Sequence, residues 1–354
     1  MTISLCMIVK DEADILRRCL VSIADLMDEI IVVDTGSKDN TKEVALEFTD
    51  RIYDYVWQDD FAAARNFAFS KATMDYIYTA DADEVLDYFN HKRFSVLKQT
   101  LLPEIEIVQM YYVTPPAYNT TANYRKEYRP KLYKRLREFV WIDAVHETVR
   151  LDPVVYDSDI EIQHLPRSLH SARDFKLFRR IYEKEGRLSE KLHSMFVKEL
   201  FIGGSEHDFA EAEDIFSDSL NRADASFDMK REAVCALCHI SRAQGKTDRF
   251  FALAFKLMPD AMCAELCYEI GGFFADQGDY EEAVQWFDSA AHGMEAVIDA
   301  RRGGDLPLLA LGKCCRRMAE QVQADLPQDE DQILFWRKQA EEYEKEAAGW
   351  ELPI

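Results

Sequence analysis

The chain has 354 residues, 48% hydrophobic and 31% charged, with a formal net charge of -22 at pH 7. A single core rarely exceeds ~250–300 residues, so this length implies two domains. The acidity excludes a general nucleic-acid binder, which presents a basic face, and suits a basic partner.

No stretch approaches the ~20 apolar residues of a membrane helix. The apolar opening "ISLCMIV" lacks a basic lead and runs directly into "KDEAD". Eight cysteines without an export signal read as reduced thiols, so the expected location is the cytoplasm. Cys235-Ala-Leu-Cys238-His239 has the spelling of a haem-attachment site. Its apolar residues nevertheless recur at helical spacing, which predicts buried small hydrophobes instead.

In chain order, Thr2–Val9 predicts a strand, and Ile15, Leu16, Cys19, Leu20 and Ile23 mark the buried face of a helix. "EIIVVD" (Glu29–Asp34) is apolar throughout, as in a parallel strand covered on both faces. "TGSKDNTKEVALEF" predicts a turn and then a helix capped by Asn40, with Glu43 completing a capping box. "RIYDYVW" predicts a third strand, "DDFAAARNFAFSKA" a helix with two acids at its positive end, and "DYIYTADAD" a fourth strand. This alternation predicts an α/β domain with a mostly parallel sheet.

From about Ser171 the pattern is helical. "HDFAEAEDIF", "TDRFFALAF" and "GDYEEAVQWF" align Asp208, Asp248 and Asp279 in one register and Ala212, Ala252 and Ala283 in another. The intervals straddle the ~34 residues of a tetratricopeptide unit, and the last segment has the polar face of a capping helix. The expected division is 1–168 for the sheet domain and 169–354 for the repeat domain.

"SLCMIVKDEADILRRCLVSI", "DEIIVVDTGSKDNT", "DDFAAARNFAF" and "YIYTADADE" follow the order and spacing of glycosyltransferase family 2. The chain resembles the bacterial subgroup with C-terminal tetratricopeptide-like helices, which includes peptide S-glycosyltransferases that modify bacteriocins. The resemblance implies a GT-A nucleotide-sugar-binding fold. The subgroup usually has Asn where this chain has Asp11.

In an open α/β sheet, ligands bind beyond the carboxyl ends of the strands. Val9, Lys10 and Glu12, the stretch Asp34–Asp39 with Gly36 and Ser37, and Asp81-Ala82-Asp83 all fall at such ends. Asp34 can accept a hydrogen bond from a uracil imino N–H, the role the resemblance implies; the same segment also reads as a plain β–α turn. Asp81 and Asp83 match the family's Asp-x-Asp signature. Alternation along an extended segment would aim both at one Mn²⁺ or Mg²⁺ that bridges the donor's phosphates.

The resemblance assigns Asp83 chiefly to the metal and Asp81 to ribose or metal; Glu84 and Asp87 are expected in solvent or behind these ligands. The resemblance brings Arg65 to the base or its strand-end neighbours; the other reading is a plain salt bridge with Asp60. His164 is the candidate third metal ligand, or a histidine at a helix entry. The basic segment from Arg129 to Arg137 leads to "VHE", which resembles the acceptor side of the family. Glu147 is the first candidate general base and Asp143 the second; His146 orients the base or a substrate hydroxyl, or is a structural histidine.

The expected function is an inverting, metal-dependent transfer of sugar from a nucleotide-sugar, with UDP as the leading nucleotide. By resemblance, the acceptor is a peptide or protein side chain. The alternative is a non-catalytic sugar-nucleotide-binding scaffold whose helices bind protein. Expected partners exclude nucleic acid and a membrane span and include a second copy of the chain.

Overall fold

The protein is described by a computed structural model covering residues 1–114, 126–136, 141–142, 148–149, 153–165, 171–257 and 261–351. It forms two compact units, the first essentially residues 1–169 and the second 170–354.

The first unit runs β1 (Ile3–Val9), α1 (Ala13–Ile23), β2 (Glu29–Asp34), α2 (Thr41–Leu46), β3 (Ile52–Asp54), α3 (Phe61–Phe69), β4 (Tyr76–Thr79), β5 (Glu84–Val85) and α4 (Tyr88–Thr100). Five more strands follow: β6 (Ile107–Val113), β7 (Lys126–Lys134), β8 (Trp141–Ile142), β9 (Thr148–Val149) and β10 (Val155–His164). Eight strands form one sheet in the order β3-β2-β1-β4-β7-β6-β10-β5, and β8 and β9 pair separately.

β1 is apolar throughout because both faces are covered. Ile3, Leu5, Met7 and Val9 enter one core with the buried face of α1, while Cys6 packs with Ile31, Val33 and Ile77 on the other side. The sheet is mixed, with parallel pairings in the majority as expected. β3, β2, β1 and β4 are parallel neighbours, as are β6 and β10, but β7 runs antiparallel between β4 and β6 and β5 runs antiparallel to β10. The charged residues of β7 hide it from a hydrophobicity reading.

The caps also differ from expectation. Asn40 makes no side-chain cap; instead Asp39 accepts from the Thr41 backbone N–H at 3.0 Å. Asp60 caps α3 through the Ala63 N–H at 2.9 Å. Asp60→Ala is expected to lower stability by about 1 kcal/mol, read as a shift in the urea midpoint.

The second unit begins with α5 (Ser171–Glu185), α6 (Glu190–Gly203), α7 (Glu206–Glu211), α8 (Glu213–Asn221) and α9 (Phe227–Ala243). It continues with α10 (Thr247–Ala254), α11 (Ala264–Asp276), α12 (Tyr280–Asp288), α13 (Asp305–Asp325) and α14 (Glu330–Gly349). Two hairpins repeat one turn: α9 and α11 are each followed by Gln-Gly, with Gly245 and Gly278 at φ +66° and +79°, a conformation that favours glycine.

Ala212 and Ala283 are buried in the helical interfaces as the register predicts, but Ala252 is exposed and Ala254 takes the buried position. All eight cysteines are buried free thiols, Cys235 and Cys238 included. No helix among the described residues is long and apolar enough to cross a membrane.

Gly271 lies where α11 meets α12, and a Cβ there would sit 2.9 Å from the buried Phe287 ring. Alanine gains about 1 kcal/mol of helix propensity over glycine, whereas overpacking costs about 1–3 kcal/mol. Gly271→Ala should therefore destabilise; an unchanged or higher melting temperature would show that Phe287 can yield.

Candidate functional site

β2, β1 and β4 are adjacent and parallel, so the loops leaving them share one edge of the sheet. With strands ~4.8 Å apart, the ends of β2 and β4 lie about 10 Å apart, the scale of a nucleotide. The first two loops are tied together. The Asp11 N–H donates to Ser37 Oγ at 2.9 Å, the Lys38 N–H to Asp11 Oδ1 at 2.7 Å, the Glu12 N–H to Thr41 Oγ1 at 2.8 Å and the Ala13 N–H to Asp39 Oδ2 at 3.1 Å. Asp11 has φ 56°, a conformation Asn and Asp tolerate better than other side chains.

Asp34 ends β2 with its side chain almost wholly buried. Its carboxylate accepts from the Gly36 and Ser37 N–H groups, each at 3.1 Å, with Lys42 Nζ at 3.7 Å. Gly36, at φ +104°, makes this turn possible. Asp34 thus shapes the turn in the manner of the plain β–α reading. Val9 is buried, Glu12 half-buried and Lys10 exposed.

After β4 the chain turns instead of continuing extended: the Glu84 N–H donates to the Asp81 carbonyl at 3.1 Å. The alternation expected for Asp81 and Asp83 does not hold, and their side chains part to different partners. Arg65, from α3, donates to Asp81 Oδ1 at 3.2 Å, a strand-end neighbour, while Asp60 caps the helix. Burial pushes the Asp81 carboxyl up, but the charges of Arg65 and Lys131 outweigh it and hold the group at about 2. The Asp81 side chain still has 43% of its surface open to solvent.

Asp83 turns to β10, where its Oδ2 lies 3.1 Å from His164 Nε2. Among the described residues its Oδ1 is buried with no partner, and so are His164 Nδ1 and Thr114 Oγ1, the latter at the end of the neighbouring β6. Ala82, between the two acids, is buried.

Two neighbours take defined places, Glu84 the second of the two expected for it. Glu84 is not in solvent: it is 2% exposed and ion-paired with Lys131 of β7, itself buried. Burial raises its pKa and Lys131 opposes the rise. Asp87 caps α4, accepting from the Asn90 N–H at 2.8 Å. The sequence reading groups Lys131 with the acceptor-side basic residues, and the structure gives it this other place. The sequence signal for its role is a lysine beside Pro130 inside a strand, a combination tolerated at a bulge. Asp143, His146 and Glu147 lie outside the described residues.

The crowded carboxylates therefore already have two protein cations, Arg65 for Asp81 and Lys131 for Glu84. Asp83, among the described residues, faces only an imidazole. No group of three Asp, Glu, His or Cys ligands is assembled among the described residues. The donors nonetheless fit Mg²⁺ or Mn²⁺, because the unpartnered Asp83 Oδ1 beside an imidazole supplies protein ligands to an ion that takes its remaining oxygens from phosphates and water.

Residues 4–143 match the family model "Glycosyl transferase family 2". A TPR repeat-containing protein of Synechococcus elongatus is 54% identical over 84 residues, 24% of this chain and 21% of that protein. The SPbeta prophage-derived glycosyltransferase SunS of Bacillus subtilis is 29% identical over 164 residues, 45% of this chain and 36% of that protein. The chain thus spans only a minor part of either relative. Among solved structures, glucosyl-3-phosphoglycerate synthase from Mycobacterium tuberculosis, in complex with Mn²⁺ and UDP-glucose, is 14% identical. It matches with a TM-score of 0.35 over 53% of this chain and 80% of that one.

Proposed function

We propose that the chain, whose residues 4–143 match the model of glycosyl transferase family 2, transfers a sugar from a nucleotide-sugar, with UDP as the leading nucleotide, to an acceptor with inversion. The observation that carries this reading is the Asp83–His164 pair, with its unpartnered carboxylate oxygen at the carboxyl edge of the sheet.

Asp83 and His164 would hold Mn²⁺ or Mg²⁺. When bound, that ion neutralises the donor's diphosphate and the charge on the leaving nucleoside diphosphate. Asp81, solvent-accessible and kept ionised by Arg65, can accept hydrogen bonds from ribose hydroxyls. The loops built from Asp11, Asp34, Gly36 and Ser37 hold the crevice beside the base.

In the transfer, the acceptor atom bonds to the anomeric carbon as the bond to the diphosphate oxygen breaks. A carboxylate, Glu147 first and Asp143 second, takes the acceptor's proton, with His146 orienting it. The proposed acceptor is a peptide or protein side chain, and the stacked helical hairpins offer the extended surface such a partner needs. Glu147→Gln should slow transfer at least ~100-fold with UDP affinity unchanged; lost UDP affinity would place Glu147 in the donor pocket.

The test of the function is UDP release from a panel of UDP-sugars with Mn²⁺ and with chelator. Metal-dependent release from one or two sugars supports the transferase. Tight UDP binding without release from any donor, with or without acceptor peptides, supports the non-catalytic scaffold.

A further inference from the structure

β7 carries an irregularity beside the site. Val108 of β6 faces Leu132, yet Gln109 faces Pro130, so Lys131 is the extra residue of a β-bulge. Bulges re-aim side chains and recur next to active sites. Here the bulge lets Arg129, Lys131 and Leu132 share one face of the sheet. Leu132 enters the core with Tyr112, Arg129 lies over the Tyr112 ring at 3.9 Å, and the Lys131 ammonium is 5.3 Å from that ring. The Tyr112 ring in turn packs against His164, centroid to centroid 4.9 Å.

Lys131 continues past Tyr112 to the carboxylate of Glu84, the residue that follows Asp83. Glu84 is also tied by backbone to the site: it pairs with His164 across β5 and β10, and the Leu165 N–H donates to the Asp83 carbonyl at 2.9 Å. A buried ion pair of this kind gives little net stability compared with an apolar pair of similar size. Its location points to geometry.

We propose that Lys131 and Glu84 are positioning residues whose buried pair, aimed by the β7 bulge, fixes the Asp83 carboxylate and the His164 imidazole in the arrangement that receives a divalent cation. This rests on the metal reading of Asp83 and His164. Neither residue touches the donor; each acts through a neighbour, Glu84 through the Asp83 backbone and Lys131 through Glu84.

The test is Mn²⁺ affinity in the presence of UDP, read from the electron paramagnetic resonance of free Mn²⁺, for the full chain and for Glu84→Gln, Lys131→Met and the double variant. The double variant removes one charge of each sign, so it leaves the local net charge unchanged and avoids stranding a buried ion. Lys131 also lowers the Asp81 carboxyl pKa by its charge, so the double variant is read against Lys131→Met, which removes that same charge. The expected result is a double variant that melts near the wild type yet binds Mn²⁺ about 10–100-fold more weakly, the usual effect of removing support behind a metal ligand.

Wild-type affinity in the folded double variant would overturn the inference while leaving the metal site standing. No Mn²⁺ binding by the unaltered chain would overturn the metal reading and the inference with it. If the double variant does not fold, Lys131→Met decides, because removing a positive charge would by itself strengthen cation binding. A tenfold or greater loss of Mn²⁺ affinity in the folded variant supports positioning, and unchanged or tighter binding contradicts it.

Discussion

Asp83→Asn is expected to lower sugar transfer at least ~1,000-fold while the melting temperature stays within a few degrees of the wild type. The substitution keeps the shape and a hydrogen bond to His164 but removes the carboxylate that, among the described residues, faces no Lys or Arg partner. Losing several kcal/mol of charge stabilisation on the departing diphosphate corresponds to that factor, at 1.36 kcal/mol per tenfold. Stability should hold because Asp83 Oδ1 already lies buried without a partner among the described residues, so nothing bonded to it there is broken. A folded Asp83→Asn variant with wild-type turnover would remove Asp83 from the chemistry.

The largest stability effect is expected in the helical unit at Glu269. Its carboxylate has no solvent exposure and accepts from Arg242 Nε at 2.8 Å and Arg302 Nη1 at 2.9 Å, with His239 Nδ1 at 3.0 Å. Burial raises its pKa, but Arg242, His239 and Arg302 outweigh that and hold the group well below the usual carboxylate range. Glu269→Ala removes the buried carboxylate these groups share and, among the described residues, the ion-pair partner of Arg302, while Arg242 keeps Asp276 and His239 keeps Glu206. It is expected to cost about 3–5 kcal/mol, seen as a lower denaturant midpoint. Because the folded pKa is depressed, the charge contributes stability above the unfolded value near ~4.3 and loses it as pH falls toward the folded value. The wild type should therefore lose stability below about pH 4, and the Glu269→Ala variant should lack that part of the slope. Equal slopes would show that other carboxylates govern acid unfolding.

The strands of the first half were legible because β1, β2 and β4 are buried on both faces and read as unbroken apolar runs. β7 was not, since Lys126, Glu127, Arg129 and Lys131 give it the composition of a surface loop; only the paired structure reveals a central strand with a bulge. Whether Glu84 lay in solvent or behind the ligands was not legible because its partner is 47 residues away. Asp83 and His164 were picked out separately by strand ends and family motif, and the fold brings them into contact. The Asp34 side chain shows the converse: its place at the strand end was evident, but not that its carboxylate would be bonded to its own turn. In the helical half the repeated segments were readable from the Asp and Ala registers, but the second segment's register places Ala252 at an exposed position and Ala254 at the buried one.

The most direct test of the whole account is UDP binding by calorimetry, with Mn²⁺ and with chelator, on the unaltered chain and on Asp83→Asn. The account predicts UDP binding that weakens at least tenfold on chelation and at least tenfold in the variant. Equal UDP affinity under all of these conditions would contradict it, because the crevice at the strand ends would then hold the nucleotide without any cation at Asp83.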